Sequence, residues 1–359
     1  MRPAYLHGAG LASALGPDRA AAVQALRTDA LPRMRRHAGL DWPVHALWDG
    51  DVPAGEEAWL ARARDTVCAA ARESGALDTG RRGPLFIASS SRDIGAREQT
   101  LAWHGDTHAF SERVAQWLDW RGPVFSVFNA CTSAAQAVLS AQRCIGAGEC
   151  DEALVLGLEL PNRYTVAGLA AMQLLSLERA QPCGADRSGL VVGEAVAAVH
   201  LGAAPARWRI RGGACVVGGS NPAGLEPHAL ARALDLALAR SGLHAGDIDL
   251  VKVHAAGSGA NDALESALLA ERLEARVPWV TFKPSLGHAL GAAAAAELAL
   301  LTACQEADAW PRLHYTADPA LAPQLGRVPA NPGHHLLLLF AGFGGGHAAL
   351  VVTDQAARC

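Results

Sequence analysis

The sequence of 359 residues is poor in aromatic and charged side chains, which make up 5% and 18% of it, and it contains only 3 methionines. Half of its residues are hydrophobic, and 37 are glycine. We therefore expect a core of small and aliphatic side chains, which favours close packing of helices on sheets. The length suffices for one large core or for two fused halves of ordinary domain size.

The chain also lacks a strong excess of charge of either sign. Its formal net charge of -4 and pI near 6.4 exclude a general affinity for nucleic acid. One local cluster of positive charge comprises Arg33, Arg35 and Arg36. The first interpretation of this run is a solvated loop, and the alternative is a docking patch for an acidic partner.

None of the 8 cysteines forms a C-x-x-C pair, and no His/Cys group has zinc-finger spacing. Reduced, mostly buried thiols of a cytoplasmic protein are therefore expected, without a metal site. Residues 1–14 show no signal-peptide pattern. The apolar run Ala292–Leu301 is interrupted by Glu297 and is too short to span a bilayer. We expect a soluble chain without a membrane span.

Short apolar segments alternate with alanine-rich stretches of helical length, a pattern that predicts mixed α/β layers around a buried sheet. Ala-Ala-Pro-Ala within Gly202–Arg207 interrupts the pattern and divides the chain into halves of residues 1–205 and 206–359. Inspection shows no internal repeat. The predicted strands are Leu85–Ala88, Val124–Phe128, Ala153–Leu156, Ala195–Leu201, Ile248–Val253, Val277–Phe282 and Leu336–Phe340, and the predicted helices include Ala134–Ile145, His228–Ser241 and Asp262–Leu273.

Cys131 lies where a β-prone segment changes to a helix-forming one. The window of residues 126–137 reads Ser-Val-Phe-Asn-Ala-Cys-Thr-Ser-Ala-Ala-Gln-Ala. A cysteine at such a junction faces the positive end of the helix dipole and free backbone N–H groups. These favour the thiolate and can hold an oxyanion on an attacked thioester. From this window alone, a buried structural cysteine remains the alternative.

His254 ends a predicted strand and enters a loop that contains Gly257. Asp262 and Glu265 follow in the expected first turn of a helix, where acidic side chains are common caps. A purely local structural role is therefore the alternative for all three side chains.

His288 and Lys283 occur together in the segment Lys-Pro-Ser-Leu-Gly-His, ahead of an alanine-rich helix. At a helix N-terminus, His288 is expected to have a depressed pKa and to donate a hydrogen bond while remaining neutral. Lys283 follows an apolar strand, where burial is costly without a carboxylate partner, and Glu265 is the expected partner.

In their order, these segments resemble the motifs of β-ketoacyl synthases. That family has an Ala-Cys elbow between strand and helix, then a histidine in an H-G-T-G-T-like loop with N-D-x-x-E, then K-x-x-x-G-H. The resemblance runs from about residue 4 to residue 353. Its further matches are Asp186–Glu194 with D-x-x-G-x-x-x-G-E, Gly342–Gly345 with G-F-G-G, and Gly8–Gly16 with the opening G-x-G-x-x-S-x-x-G.

The resemblance implies a thiolase-like five-layer α-β-α-β-α sandwich of two similar halves, normally a dimer. Cys131 would carry an acyl group delivered on the phosphopantetheine arm of an acyl carrier protein. His254 and His288 would stabilise the enolate that forms when a malonyl thioester loses carbon dioxide. No metal or organic cofactor would be required. The backbone N–H groups of Cys131 and Phe343 would hold a second oxyanion, and the supporting residues would be Lys283, Glu265, Asp262 and Glu194.

Several positions depart from the family pattern. Ala256 replaces the first threonine of the loop after His254, which holds the pantetheine chain, whereas Ser258 retains a hydroxyl at the second. Ala341 replaces the usual gating phenylalanine, so that the acyl channel should be less obstructed. The chain is also shorter than typical members, mostly before Cys131. These departures favour a divergent synthase of a secondary pathway, acting as a homodimer or beside a second synthase-like subunit.

Three functions remain open. The leading hypothesis is a β-ketoacyl synthase that condenses an acyl group on Cys131 with malonyl-acyl carrier protein in fatty-acid-like, polyene or polyketide biosynthesis. The second is a non-catalytic partner subunit like the chain-length factors, which typically lose the cysteine. The third is a Cys-His acyltransferase, in which His288 has no evident role. The set of Cys131, His254, His288 and Lys283 favours the first hypothesis.

Overall fold

A computed structural model of the chain describes residues 2–101, 105–219, 224–327 and 333–357. The strands are β1 (Ala4–Ala12), β2 (Met34–Arg36), β3 (Pro43–His45), β4 (Leu85–Ser89), β5 (Val124–Val127), β6 (Glu152–Glu159), β7 (Val192–Gly193), β8 (Ala195–Gly202), β9 (Trp208–Val217), β10 (Leu250–Lys252), β11 (Trp279–Val280), β12 (His335–Gly342) and β13 (Gly346–Asp354). The helices are α1 (Arg19–Arg27), α2 (Glu56–Glu73), α3 (Ile94–Thr100), α4 (Ala109–Trp117), α5 (Ser133–Ala147), α6 (Arg163–Ala171), α7 (Pro227–Ser241), α8 (Gly259–Arg272), α9 (Lys283–Leu286) and α10 (Ala293–Ala307).

Ten of these strands form two five-stranded groups with the same internal arrangement. The order is β5-β4-β6-β8-β1 in the first group and β11-β10-β12-β13-β9 in the second. In each group the first three strands are parallel and the last two pairings are antiparallel. The groups join where Ala4–Leu6 of β1 pairs with the start of β9. The fold therefore contains a repeat that inspection of the sequence does not show.

The helices form three layers around the two groups of strands. Helices α5 and α10 occupy equivalent places in the repeat and pack against each other between the groups. Helix α2 covers the outer face of the first group, and α7 and α8 cover that of the second. Strand β12 shows the expected alternation: Leu336 and Leu338 face the central core, whereas Leu337 and Leu339 face the outer one. The expected five-layer sandwich of two similar halves is confirmed.

The predicted strands all exist, but their lengths differ from the predictions. The segment predicted as Ile248–Val253 is a strand only over Leu250–Lys252, and Val277–Phe282 only over Trp279–Val280. The structure adds strands that the sequence does not predict, among them β1 and β9, whose apolar pattern is interrupted by glycines, and β13, which directly follows the turn Phe343–Gly345. The residues between β8 and β9 coincide with the predicted boundary at Gly202–Arg207, and the division into two domains there stays a prediction.

A three-stranded sheet, β2-β3-β7, carries the arginine run. The guanidinium of Arg35 donates to both carboxylate oxygens of Glu194, at 2.8 and 2.7 Å, and its side chain is only 12% exposed. Arg33 pairs with Asp49, and Arg36 donates to a backbone carbonyl. The interpretation of this run as a solvated loop is therefore wrong. The alternative docking patch is not favoured either, because these cations are already engaged within the chain.

Within the described ranges, no helix is both long enough and apolar enough to cross a membrane.

Candidate active site

Cys131 lies in a sharp turn at the end of β5. Ala130 has a φ of +46°, a left-handed conformation that is uncommon for a residue with a Cβ, and a 3₁₀ turn over Ala130–Thr132 leads into α5. The hydroxyl of Ser133 stabilises the turn: it accepts from the N–H of Asn129 and donates to the carbonyl of Ala130, both at 2.7 Å. The expected elbow between strand and helix is thus present, with the cysteine at its tip.

The sequence predicted that the surroundings of Cys131 favour its thiolate. The structure shows the opposite. Burial, reinforced by the negative charge of Glu159, raises the pKa of Cys131 to about 12. Lys283 and hydrogen bonds from the N–H groups of Phe343 and Cys131 itself act in the opposite direction but do not outweigh burial. The thiol is therefore protonated at neutral pH. These are the two N–H groups that the sequence predicted as an oxyanion site, and that role stays a prediction.

A hydrogen bond from the backbone determines which tautomer of neutral His254 is present. Its Nδ1 accepts from the N–H of Ala341 at 3.1 Å, so in the neutral ring the proton is on Nε2. Burial, together with the charges of Lys283 and His288, lowers the pKa of His254 well below its usual range. The ring is consequently a neutral donor through Nε2–H.

The backbone around His254 is held by the two predicted carboxylates. Glu265 accepts from the N–H groups of His254 and Ala255, both at 2.6 Å. Asp262 accepts from the N–H groups of Ala256 and Gly257, both at 3.0 Å. These carboxylates therefore do more than cap their own helix, since they fix the loop that carries the histidine. Burial raises the pKa of Glu265 to about 7.

The backbone of His288 is fixed by the segment around β7. Its N–H donates to the carbonyl of Val191 at 2.8 Å, and its carbonyl accepts from Gly193 at 2.9 Å. The two segments approach so closely that a Cβ on Gly287 would lie 2.6 Å from the Cα of Gly193. Burial and the charge of Lys283 lower the pKa of His288 to about 3. The ring is neutral as predicted, for reasons of burial and nearby charge.

Lys283 does not pair with Glu265, and this part of the prediction is wrong. Its Nζ lies 3.2 Å from Oε1 of Glu297, and Lys252 binds the other carboxylate oxygen of the same glutamate. Glu265 is unavailable because its two oxygens accept from backbone N–H groups. Lys252 also donates to the carbonyl of Leu339 at 2.6 Å. The result is a fully buried cation–anion–cation group with one net positive charge beside the two histidines.

Glu159 connects three elements next to Cys131. Its carboxylate accepts from the hydroxyl of Ser90 at 2.7 Å and from the N–H of Gly291 at 3.1 Å, and it also binds Ser91. It thereby joins the ends of β6 and β4 to the start of α10. Burial raises the pKa of Glu159 to about 7.

A cavity of about 170 Å³ brings the predicted residues together. Such a volume holds a group about the size of benzene. Its lining includes Leu169, Leu174 and Leu290, which make part of the wall apolar. The predicted residues that line it are Cys131, His254, His288, Phe343, Ala256, Ser258, Asp262 and Ala341.

Two predicted residues also have structural roles. Glu194 accepts from the guanidinium of Arg35 and from the N–H of Leu47, and the N–H of the preceding Gly193 donates to the carbonyl of His288. The hydroxyl of Ser258 accepts from a backbone N–H as the N-cap of α8, although the residue also lines the cavity.

Sequence reasoning missed Lys252, Glu297 and Glu159. Each is a charged residue within an otherwise apolar segment, and each is buried. That contrast was visible in the sequence and is a signal, because a charge in such a position is costly unless it is paired. Glu297 was noted only as an interruption of an apolar run.

The fold and the site together define a thiolase-like protein in which a buried cysteine and two neutral histidines line one cavity. Two family models match the chain, the β-ketoacyl synthase N-terminal domain over residues 68–205 and the C-terminal domain over residues 209–316. The chain belongs to the β-ketoacyl synthase family. Together the two matches leave residues 1–67, 206–208 and 317–359 uncovered.

Similar proteins agree with this assignment. The chain is 32% identical over 263 residues to 3-oxoacyl-[acyl-carrier-protein] synthase 2 of Rhizobium meliloti (strain 1021), and 31% identical over 225 residues to nodulation protein E of Rhizobium sp. (strain N33). These alignments cover 65% and 58% of this chain, and 61% and 55% of the relatives, so the chain spans less than two thirds of their length. One chain of a complex between a ketosynthase and its chain length factor from Xenorhabdus doucetiae has a TM-score of 0.85 at 22% identity, with 98% of each chain covered.

Proposed function

We propose that the chain is a decarboxylating condensing enzyme that carries its acyl group on Cys131. The observation that supports this most strongly is the convergence of one cysteine and two uncharged histidines on a single cavity. Neutral imidazole N–H groups suit an enolate, because they stabilise developing negative charge without protonating it fully.

In the first half-reaction, Cys131 attacks the carbonyl carbon of an acyl thioester. The new S–C bond replaces the bond to the carrier's pantetheine sulfur, which leaves as a thiol with the proton that Cys131 gives up. The N–H groups of Cys131 and Phe343 hold the tetrahedral oxyanion. Because the pKa of Cys131 is about 12, its proton must be removed during the attack rather than before it.

In the second half-reaction, a malonyl thioester binds with its carbonyl oxygen towards His254 and His288. The bond to the carboxylate breaks, carbon dioxide leaves, and the electron pair forms an enolate held by the two imidazoles. The enolate carbon attacks the Cys131 thioester, and the cysteine leaves as a thiolate as the new carbon–carbon bond forms. One proton from solvent then restores the thiol. All other atoms and electrons come from the two thioesters and the side chains, and we propose that no cofactor takes part.

We infer that the donors are thioesters of an acyl carrier protein, as the name of the Rhizobium meliloti relative states for that enzyme. Ala341, in place of the family's usual phenylalanine, fits a divergent synthase of a polyene or polyketide-like pathway. The neighbouring ketosynthase from Xenorhabdus doucetiae is bound to a chain length factor, which supports a second synthase-like subunit as partner here.

A mass-based assay tests the proposal. The purified chain, alone and with a candidate partner subunit, is mixed with acyl-carrier and malonyl-carrier substrates. Acylation is followed by intact mass, and carbon dioxide release and product are measured in parallel. We expect an acyl adduct in the wild type and in the control Cys144→Ala, which removes a partly buried thiol of α5. Cys131→Ala should give no adduct.

The histidine variants separate the three candidate functions. His254→Ala and His288→Ala should lower carbon dioxide release by at least about a hundredfold. Acylation of Cys131 without any condensation would instead identify an acyltransferase. Absence of a Cys131 adduct under all conditions, with product formed only by an added synthase, would identify a non-catalytic partner and overturn the proposal.

A further inference from the structure

A group of potential metal-ligating side chains lies on the first group of strands, away from the candidate active site. It comprises His7 of β1, Glu152 of β6 and His200 of β8, and one potential ligand atom of each lies within 4.8 Å of the other two. All three residues lie outside the lining of the Cys131 cavity. Two imidazoles and a carboxylate are a common donor set for divalent transition metals.

His200 directs an unsatisfied nitrogen towards this group. The residue is 6% exposed, and its ring binds the backbone of Ser74. Its Nε2 is buried and has no hydrogen-bond partner in the part of the chain that the structure describes. This atom lies 3.9 Å from Oε2 of Glu152, which is beyond hydrogen-bonding distance. A buried lone pair without a partner is costly, and a cation between the two atoms would satisfy both.

His7 owes its position to an irregularity in β1. The register of β1 against β8 shifts between Leu6 and Gly8, so that His7 is the additional residue of a bulge, a feature that redirects side chains. Its Nε2 lies 2.8 Å from the carbonyl of Ala204, so the neutral ring donates there and keeps its lone pair on Nδ1. A Cβ on Gly202 would lie 2.2 Å from the ring, so glycine provides the space that the imidazole occupies.

We propose that His7, Glu152 and His200 bind a divalent transition metal of the Zn²⁺ type, with solvent completing its coordination. The exposed His7 and the partly exposed Glu152 can rotate inwards to reach the 2.0–2.2 Å that such a metal requires. The metal would fasten β1 to β8 and β6, next to the place where β1 pairs with β9 of the other half.

The metal alone is the probe. Metal-free protein is titrated with Zn²⁺ by calorimetry and with Co²⁺ by absorption spectroscopy, and melting temperatures are measured with and without metal. We expect one equivalent to bind, the melting temperature to rise, and the cobalt spectrum to lack thiolate charge-transfer bands. His7→Ala and Glu152→Gln should each weaken binding at least about tenfold. The control is His314→Ala, which removes an exposed histidine that lies 2.8 Å from Asp29.

Three results would overturn the proposal: no saturable binding, equal affinity in wild type, His7→Ala and Glu152→Gln, or a thiolate cobalt spectrum. The last two would indicate an adventitious metal only. The cobalt spectrum of the wild-type protein shows whether thiolates bind the metal, and this result does not depend on whether either variant folds. None of these results depends on the condensing activity, so this inference and the proposed function fail separately.

Discussion

At the scale of single residues, the reactivity of Cys131 depends on the cost of charging a buried thiol. Only the thiolate is nucleophilic, and its fraction rises tenfold per pH unit below the pKa. With a pKa of about 12, alkylation of Cys131 by iodoacetamide should accelerate about tenfold per unit from pH 7 to pH 9 without levelling off. Peptide mass spectrometry resolves this position from the other cysteines. A plateau by pH 9 would contradict the protonated resting state.

The buried group of Lys252, Glu297 and Lys283 gives a second prediction at this scale. Glu297→Gln leaves two buried ammonium groups without a counter-charge and should lower the free energy of unfolding by about 3–5 kcal/mol. Lys252→Met leaves one neutral pair, Lys283 with Glu297, and should cost roughly 1–2 kcal/mol. Urea titration with a common m-value measures both changes. An equal or larger loss in Lys252→Met would show that Glu297 is not the shared anion.

At the scale of secondary-structure elements, Glu159 joins two strand ends to the start of α10. Its folded-state pKa of about 7 lies above the ordinary value of 4.5, so its protonated form favours the folded state. This contribution to stability is complete below about pH 4.5 and is lost as the pH rises towards 7. The loss amounts to at most about 3 kcal/mol.

Glu159→Gln removes that titration while keeping the shape of the side chain. Its free energy of unfolding, relative to the wild type, should therefore rise by up to about 3 kcal/mol between pH 5 and pH 8 in urea titrations. Because the charge of Glu159 raises the pKa of Cys131, the variant should also be alkylated faster at Cys131. A difference in stability that does not change with pH would refute the assignment.

The sequence predicted secondary-structure elements better than it predicted which charged side chains pair with each other. Alternating and continuous apolar segments located seven strands, since burial on one or both faces leaves a direct trace in composition. The order of Cys131, His254, Lys283 and His288 likewise predicted the site, because the resemblance is carried by those positions. The pairing of Lys252 with Glu297, 45 residues later, depends on how β10 and α10 meet in space. No pattern in the local sequence around either residue indicates that contact.

At the scale of the whole molecule, the sheet ends at a short edge strand. Strand β5 has one paired side, and Phe125 on it is 45% exposed and stacks on Phe86. An uncovered edge with an exposed aromatic ring favours association with another chain. If the proposed association with a second copy or a second subunit uses this edge, Phe125→Lys should weaken it at least about tenfold in sedimentation velocity. Leu31→Lys, at an exposed apolar residue outside the strands, is the control. Unchanged association would exclude this edge.

The repeat also has a consequence for how many reaction centres one chain can hold. Cys131 follows the left-handed Ala130 before α5, and Gly291 follows the left-handed Leu290 before α10, in helices of equal length. A Cβ at Gly291 would lie 2.3 Å from the N of Ser90, so this twin position accepts no side chain. The position equivalent to Cys131 in the second half is therefore a glycine without room for a side chain, and its N–H donates to Glu159. A second cysteine cannot be introduced there by a single substitution.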